Sequence, residues 1–229
     1  MKRSTWVSLG YQWIEEDLVI IESLTVGPIQ ANCYILGCDD TLEAVVIDPG
    51  GEADRILLVL AQAKLTLKYI INTHGHFDHV GANKKLQKVT GAPILIHRID
   101  APMLARLADN AASWGLSAEN SPAPDRMLED GNTVEFGTII LKVLHTPGHT
   151  QGGISLLTDN CVFVGDTLFA GSVGRTDFPG GDAGTLRKSI HSKLFTLDDT
   201  VTVYPGHMGT TTIGEERRTN PFVGTNGIL

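Results

Sequence analysis

Over the first half of the chain, short apolar runs rich in β-branched residues alternate with stretches in which apolar positions recur every three or four residues. The runs at 18–23, 32–36 and 44–47 are bounded by turn residues and predict strands. Asp48-Pro49-Gly50-Gly51 then breaks the chain. Over 53–64, Ile56, Leu57, Leu60 and Ala63 share one helical face, the pattern of a helix lying on a sheet. A strand over 68–72, a helix over 80–89, a strand over 94–96 and a helix over 101–114 continue the alternation. Residues 117–126, with Pro122 and Pro124, predict a surface loop.

The second half returns to strands. Gly137 separates 133–136 from 139–144 as a hairpin, and Asp159-Asn160 forms a tight turn between 154–157 and 161–164. The glycine-rich stretch 165–184 predicts a loop beside a site, followed by a helix over 185–195 and a strand over 200–204. Thr212 with Glu215 offers a capping box for a last short helix. This order predicts an α/β protein, with two sheets packed together and helices outside. Residues 18–229 are expected to form a single catalytic domain behind an N-terminal extension, 1–17.

Composition narrows the function. The 18 basic and 26 acidic residues give a net charge of -8, which argues against a nucleic-acid surface. No uninterrupted apolar run approaches the roughly 18 residues of a membrane span, and the first residues lack the apolar core of a secretory signal. Cys33, Cys38 and Cys161 form no close pair; an odd number of cysteines without a signal fits a reducing cytoplasm. Cys33 and Cys161 read as small core side chains.

The chemistry is concentrated in Thr73-His74-Gly75-His76-Phe77-Asp78-His79, directly after the apolar run Tyr69-Ile70-Ile71. Three imidazoles and a carboxylate buried without partners would cost more than a domain's net stability. Divalent cations remove that cost. His149 follows a strand in Thr146-Pro147-Gly148-His149, Asp166 ends the apolar run Val162-Phe163-Val164-Gly165, and His207 follows Tyr204-Pro205-Gly206. Every candidate ligand therefore sits where a strand gives way to a loop. His74, His76 and His149 are assigned to one ion, Asp78, His79 and His207 to the other, and Asp166 bridges them. Imidazole and carboxylate donors without thiolates suit Zn first, with Fe or Mn as alternatives.

These motifs, T-H-x-H-x-D-H followed by P-G-H-T, G-D and P-G-H, resemble the metallo-β-lactamase-fold superfamily over residues 24–223. Gly27-Pro28-Ile29-Gln30-Ala31-Asn32-Cys33-Tyr34, Gly165-Asp166-Thr167-Leu168-Phe169-Ala170-Gly171, Gly174-Arg175-Thr176-Asp177 and Thr212-Ile213-Gly214-Glu215 make the chain most similar to short glyoxalase II-like hydrolases. The resemblance implies an αβ/βα four-layer sandwich and a dinuclear site, and supports the ligand assignment position by position. A flavodiiron-like protein would carry a glutamate where His76 stands. An Fe-dependent persulfide dioxygenase is the alternative: Gly174-Arg175-Thr176-Asp177-Phe178 resembles it, and such enzymes use one Fe on His74, His149 and Asp166.

The implied reaction is hydrolysis of a small thiolester by a hydroxide bridging two cations, which also polarise the carbonyl. Asp78 is the candidate for orienting that nucleophile and managing its proton. Asp48, at the end of the strand before Pro49, is expected to support a ligand imidazole or the motif loop by hydrogen bonds, and Thr150 to support the His149 loop. Arg175 and Asp177 are expected to pair and fix the glycine-rich loop, with contact to an anionic substrate as the alternative for Arg175. His97, His145 and His191 read as packing or exposed residues. A full glyoxalase II carries a larger helical C-terminal region that helps hold glutathione, whereas 22 residues follow His207 here. A metal-stabilised interaction domain without activity is the remaining reading.

Overall fold

Strand β2 explains the layering. All of its side chains are buried, with Cys33 and Ile35 facing one apolar cluster and Tyr34, Leu36 and Cys38 facing another. A strand hydrophobic on both faces belongs inside a sheet covered on both sides. The computed structural model describes residues 19–228. The extension expected over 1–17 lies outside the described residues.

The first sheet runs in chain order, β1 (Val19–Val26), β2 (Ala31–Cys38), β3 (Glu43–Ile47), β4 (Thr66–Asn72), β5 (Ile94–His97) and β6 (Arg126–Leu128). Its first three strands are antiparallel and its later pairs parallel. Helix α1 (Ala53–Gln62) crosses from β3 to β4. The short α2 (Phe77–Val80) and α3 (Asn83–Thr90) precede β5, and a 3₁₀ segment (Ala101–Arg106) leads into α4 (Leu107–Ala112).

The second sheet has the order β14-β13-β10-β9-β8-β7. Its strands are β7 (Thr133–Phe136), β8 (Ile139–His145), β9 (Ile154–Leu157), β10 (Cys161–Gly165), β13 (Thr202–Pro205) and β14 (Thr211–Thr212). A small hairpin, β11 (Leu168–Phe169) with β12 (Ser172–Val173), follows β10, and α5 (Ala183–Ser189) and α6 (Ile213–Thr219) cover the outer face.

Strand alternation sorts the core into three apolar layers. Val46, Ile70, Ile94 and Ile96 face the first helical layer; Val45, Ile47, Ile71 and Leu95 meet Leu141, Val143, Leu156 and Phe163 between the sheets. Val162, Val164 and Val203 face α5 and α6. Each such side chain contributes about 1.5–3 kcal/mol when fully buried. This is the four-layer αβ/βα sandwich. Between the sheets, Phe163 stacks on Tyr204 at 4.9 Å and meets Tyr34 edge-on at 5.2 Å. The Tyr34 hydroxyl donates to the Pro205 carbonyl at 2.7 Å, tying the first sheet to the loop that carries His207.

Several elements differ from the sequence expectation. The helix expected over 80–89 is split, with a helical turn at Phe77–Val80 and a new start at Asn83. The helix expected over 101–114 opens as 3₁₀, with Pro102 in its first turn, and becomes α-helical only at Leu107. Strand β6 follows the expected loop because its three residues pair in parallel with Leu95, Ile96 and His97; a run that short shows no period. The stretch 165–184 is not all loop, since it contains β11 and β12. The helix expected over 185–195 starts at Ala183, where the Asp182 side chain accepts from the Thr185 amide, and ends in a π-helical segment, Ile190–Leu194. Only half of the capping box forms: Thr212 accepts from the Glu215 amide, while the Glu215 carboxylate turns to Thr219 and Arg218. No helix among the described residues is long and apolar enough to cross a membrane.

Candidate metal centre

Four strand ends meet at one edge of the sandwich. Beyond β4 come His74 and His76, and the turn of α2 presents Asp78 and His79; the segments after β8, β10 and β13 deliver His149, Asp166 and His207. The structure brings all seven together. Donor atoms of His74, His76 and His149 converge within 4.8 Å of one another, as do those of Asp78, His79 and His207. Asp166 stands between the two groups, with Oδ1 3.5 Å from His79 Nε2 and Oδ2 3.5 Å from His149 Nε2 and 3.6 Å from His207 Nε2. Gly206 makes this convergence possible: a Cβ there would collide with Asp166 Oδ1 and the His79 ring.

Hydrogen bonds set which nitrogen each imidazole turns inward. Asp48 Oδ1 accepts from the Thr73 amide at 2.7 Å, and Oδ2 accepts from the Thr73 hydroxyl at 2.5 Å and from His79 Nδ1 at 3.1 Å. With its proton committed to Asp48, the Thr73 hydroxyl accepts from His74 Nδ1 at 3.0 Å. His149 Nδ1 donates to the Arg175 carbonyl at 2.7 Å. In all three histidines Nδ1 is engaged by the protein and Nε2 is turned toward the cluster, the orientation a metal ligand needs. His76 enters by its other nitrogen, with Nδ1 2.9 Å from His149 Nε2.

The cluster is graded in exposure. His74 and His79 form a buried floor, and His76, Asp78 and His207 form a half-buried rim. Burial and the neighbouring imidazoles press the His74 pKa well below its ordinary value, and burial with His149 brings His76 down to about 4. Burial also opposes charge on His79, but Asp166, Asp78 and Asp48 outweigh it and push that pKa up to about 10. Burial would raise Asp78, yet His79, His207 and His76 hold it well below the usual carboxylate range.

The residues fit divalent cations. His74 Nε2 and Asp166 Oδ1 are buried with no hydrogen-bond partner among the described residues. Left alone, each such group costs about 1–3 kcal/mol or more. Both point into the space where the other donors converge.

Residues that the motifs did not flag hold this geometry. Buried Asp100 accepts from the Gly75 amide at 3.2 Å, the Thr150 hydroxyl at 2.7 Å and the Gly152 amide at 2.7 Å. It therefore staples the His74–His76 loop to the His149 loop, and Thr150 supports its loop through Asp100. Beneath the motif, buried Asn83 donates to Asn72 at 2.8 Å and to Ser121 at 3.1 Å. Only the buried polar character of these residues, which no local motif announces, could have signalled them. Arg175 and Asp177 form the expected ion pair, with Nε and Nη2 at 2.9 and 2.8 Å from the two carboxylate oxygens. Arg175 reaches the cluster through its backbone carbonyl. His97 stacks on His145 at 4.3 Å, and His145 Nε2 donates to the Gln151 carbonyl at 3.0 Å, outside the cluster.

Comparison with known proteins agrees with this geometry. The chain is 40% identical over 207 residues to hydroxyacylglutathione hydrolase GloC of Haemophilus influenzae, an alignment covering 89% of this chain and 97% of that one. It is 35% identical over 197 residues to the mitochondrial persulfide dioxygenase ETHE1 of Bos taurus, covering 82% and 69% of the two chains. The crystal structure of TTHA1623 in a di-iron-bound form superposes with a TM-score of 0.81 at 39% identity, covering 88% of this chain and 99% of that one. The Metallo-beta-lactamase superfamily model matches residues 26–207, a span that contains every strand end converging on the cluster. By sheet order, strand-end ligands and sequence alike, this chain belongs to the metallo-beta-lactamase superfamily.

Proposed function

We propose that this superfamily member is a metal-dependent hydrolase of small thiolesters, glyoxalase II-like in its chemistry. His74, His76 and His149 would hold one divalent ion, Asp78, His79 and His207 a second, and Asp166 would lie between them. The observation that carries this reading is the pair of buried atoms without a hydrogen bond, His74 Nε2 and Asp166 Oδ1, at the meeting point of the remaining donors. Zn is the first choice for this imidazole and carboxylate set; Fe and Mn suit the same donors, and the di-iron form of TTHA1623 keeps Fe in contention. Ions bound here supply Lewis acidity and a water of lowered pKa.

Within that centre the chain's own groups divide the work. Asp78 lies at the rim with Oδ2 3.4 Å from His207 Nε2. From there it orients the attacking water and holds the proton that water gives up. As the carbonyl C–O bond forms and the C–S bond breaks, that proton passes to the departing thiolate. Asp48 and Thr150 keep the imidazoles and their loops fixed by hydrogen bonds, and the Arg175–Asp177 pair stiffens the loop that carries the Arg175 carbonyl. The identity to a hydroxyacylglutathione hydrolase supports the thiolester class. The odd number of cysteines in the chain supports a cytoplasmic location.

The test is steady-state hydrolysis of S-lactoylglutathione by protein of known metal content. A kcat/KM above about 10⁴ M⁻¹s⁻¹, the ordinary enzymatic range, is expected. No turnover with both sites filled overturns the substrate. The second reading, an Fe-dependent persulfide dioxygenase, is favoured by the identity to the bovine enzyme. Oxygen consumption with glutathione persulfide distinguishes it.

A further inference from the structure

The rim of the centre carries an apolar wall on its His76 side. Phe178 meets the His76 ring edge-on at 5.7 Å; Trp114, just past α4, lies 6.0 Å from Phe178 and 6.3 Å from Phe77. Phe77 and Phe178 are half-buried, but Trp114 leaves 49% of its surface in solvent. An exposed tryptophan packed on two further rings beside the centre offers an apolar surface to a ligand bound there.

Phe178 is braced from one side. The Arg175 guanidinium lies 4.2 Å above the Phe178 ring, and Asp177 fixes it by two hydrogen bonds. Arg175 is thus neutralised in place, and the carboxylates of a glutathione-like thiol would compete with Asp177 for it. At the other end of the chain, Arg217 is committed to Asp199 and the Leu197 carbonyl, and Arg218 to Asp199 and Glu215. Across the rim, Met208 is 60% exposed and Phe169 stands edge-on to His207 at 6.1 Å. A polar, charged floor is flanked on both sides by apolar side chains.

We infer that the Trp114–Phe178–Phe77 wall is the specificity subsite of this centre and takes a planar apolar group next to the scissile carbonyl, so that aromatic acyl thiolesters are preferred over small polar ones. The inference rests on the thiolester reading above. Phe178 borders His76 and Trp114 extends the wall beyond it, so an aromatic arm one or two bonds from the carbonyl would meet Phe178 first. A preorganised aromatic surface binds it with little ordering cost. The lactoyl group, small and hydroxylated, leaves that surface wet.

Two thiolesters of one leaving thiol test this in the metal-loaded protein: S-phenylacetyl- and S-acetyl-N-acetylcysteamine. The expected result is a phenylacetyl preference of about tenfold or more in kcat/KM, the worth of one good aromatic contact. Trp114→Ala should abolish that preference through the KM of the phenylacetyl ester, and Trp114→Phe should restore most of it. Equal kcat/KM for the two esters, or an equal loss on both in Trp114→Ala, overturns the inference. A binding measurement keeps it independent of turnover. With Trp6 and Trp13 replaced by Phe, Trp114 is the sole tryptophan. Its fluorescence should change saturably with the inert thioether S-(2-phenylethyl)-N-acetylcysteamine and not with the S-ethyl analogue. If neither ester is hydrolysed but the fluorescence discriminates, the thiolester reading fails and the aromatic subsite stands. If the fluorescence does not discriminate, the subsite fails whatever the turnover.

Discussion

The floor and the rim of the metal centre are built on different principles. On the floor, His74 and His79 are buried and both are held through Nδ1 by one hydrogen-bonded unit, Asp48 with Thr73. On the rim, His76, Asp78 and His207 are half-buried; Asp78 Oδ2 lies 3.4 Å from His207 Nε2, and His76 and His207 meet the Phe178 and Phe169 rings edge-on. Buried hydrogen bonds are concentrated on the floor, and partly exposed apolar surface on the rim, where a substrate would enter. The division also separates two kinds of failure: loss of the floor's support should weaken metal binding, whereas loss of Asp78 on the rim should cost turnover with the His74-side ion still bound.

The largest expected effect breaks the rim. Asp78→Ala should lower thiolester hydrolysis at least about 10³-fold, because a proton-handling group and a ligand are lost together. The His74-side ion should remain bound. Metal analysis beside kinetics checks this, and retained hydrolysis would remove Asp78 from the mechanism. The floor is next. Asp48→Ala frees His79 Nδ1 and the Thr73 hydroxyl, and should weaken metal affinity about 10–100-fold, the usual cost of losing such a support. Titration against a competing chelator reads it. The rim variant should not show this weakening on the His74 side.

Asp100→Asn has a smaller effect, because the amide keeps one acceptor for the Thr150 hydroxyl or the Gly152 amide. A loss of about 1–3 kcal/mol of stability is expected, seen in denaturant unfolding, with metal still bound. A variant that loses stability and metal equally would mean that the staple belongs to the floor. The last effect lies outside both regions and appears only at acid pH. Burial against His145 brings His97 down to about 4 from its ordinary 6.5. The unfolded chain therefore takes up this proton first as pH falls, and stability is lost progressively between about pH 6.5 and 4. His97→Asn should flatten that part of the stability–pH curve. An unchanged curve would show that acid sensitivity comes from the metal centre alone.

Much of this architecture follows from the sequence. The two-sided apolar runs of β2 to β5 announce a covered sheet, and strand ends carrying His74, His149, Asp166 and His207 announce where the centre lies. The contacts that hold it do not announce themselves. Asp100 sits two residues past Arg98 in a stretch with no motif, and acts on Gly75, Thr150 and Gly152, the last 52 positions away. Strand β6 and the hairpin β11–β12 are two or three residues long and exist through pairing with neighbours rather than through their own periodicity. The split between α2 and α3 is equally nonlocal: a Cβ at Gly81 would press on the Gly50 carbonyl, so the turn carrying Asp78 and His79 is shaped by a loop 31 residues earlier. The aromatic wall unites Phe77, Trp114 and Phe178 from three separate segments, which only the folded chain brings together.

The most direct test is to titrate metal-free protein with Zn while following S-lactoylglutathione hydrolysis. If two ions share Asp166, activity stays low through the first equivalent and rises with the second, with Asp78→Ala blocking the second step. Full activity at one equivalent, unaffected by Asp78→Ala, would contradict the two-ion centre.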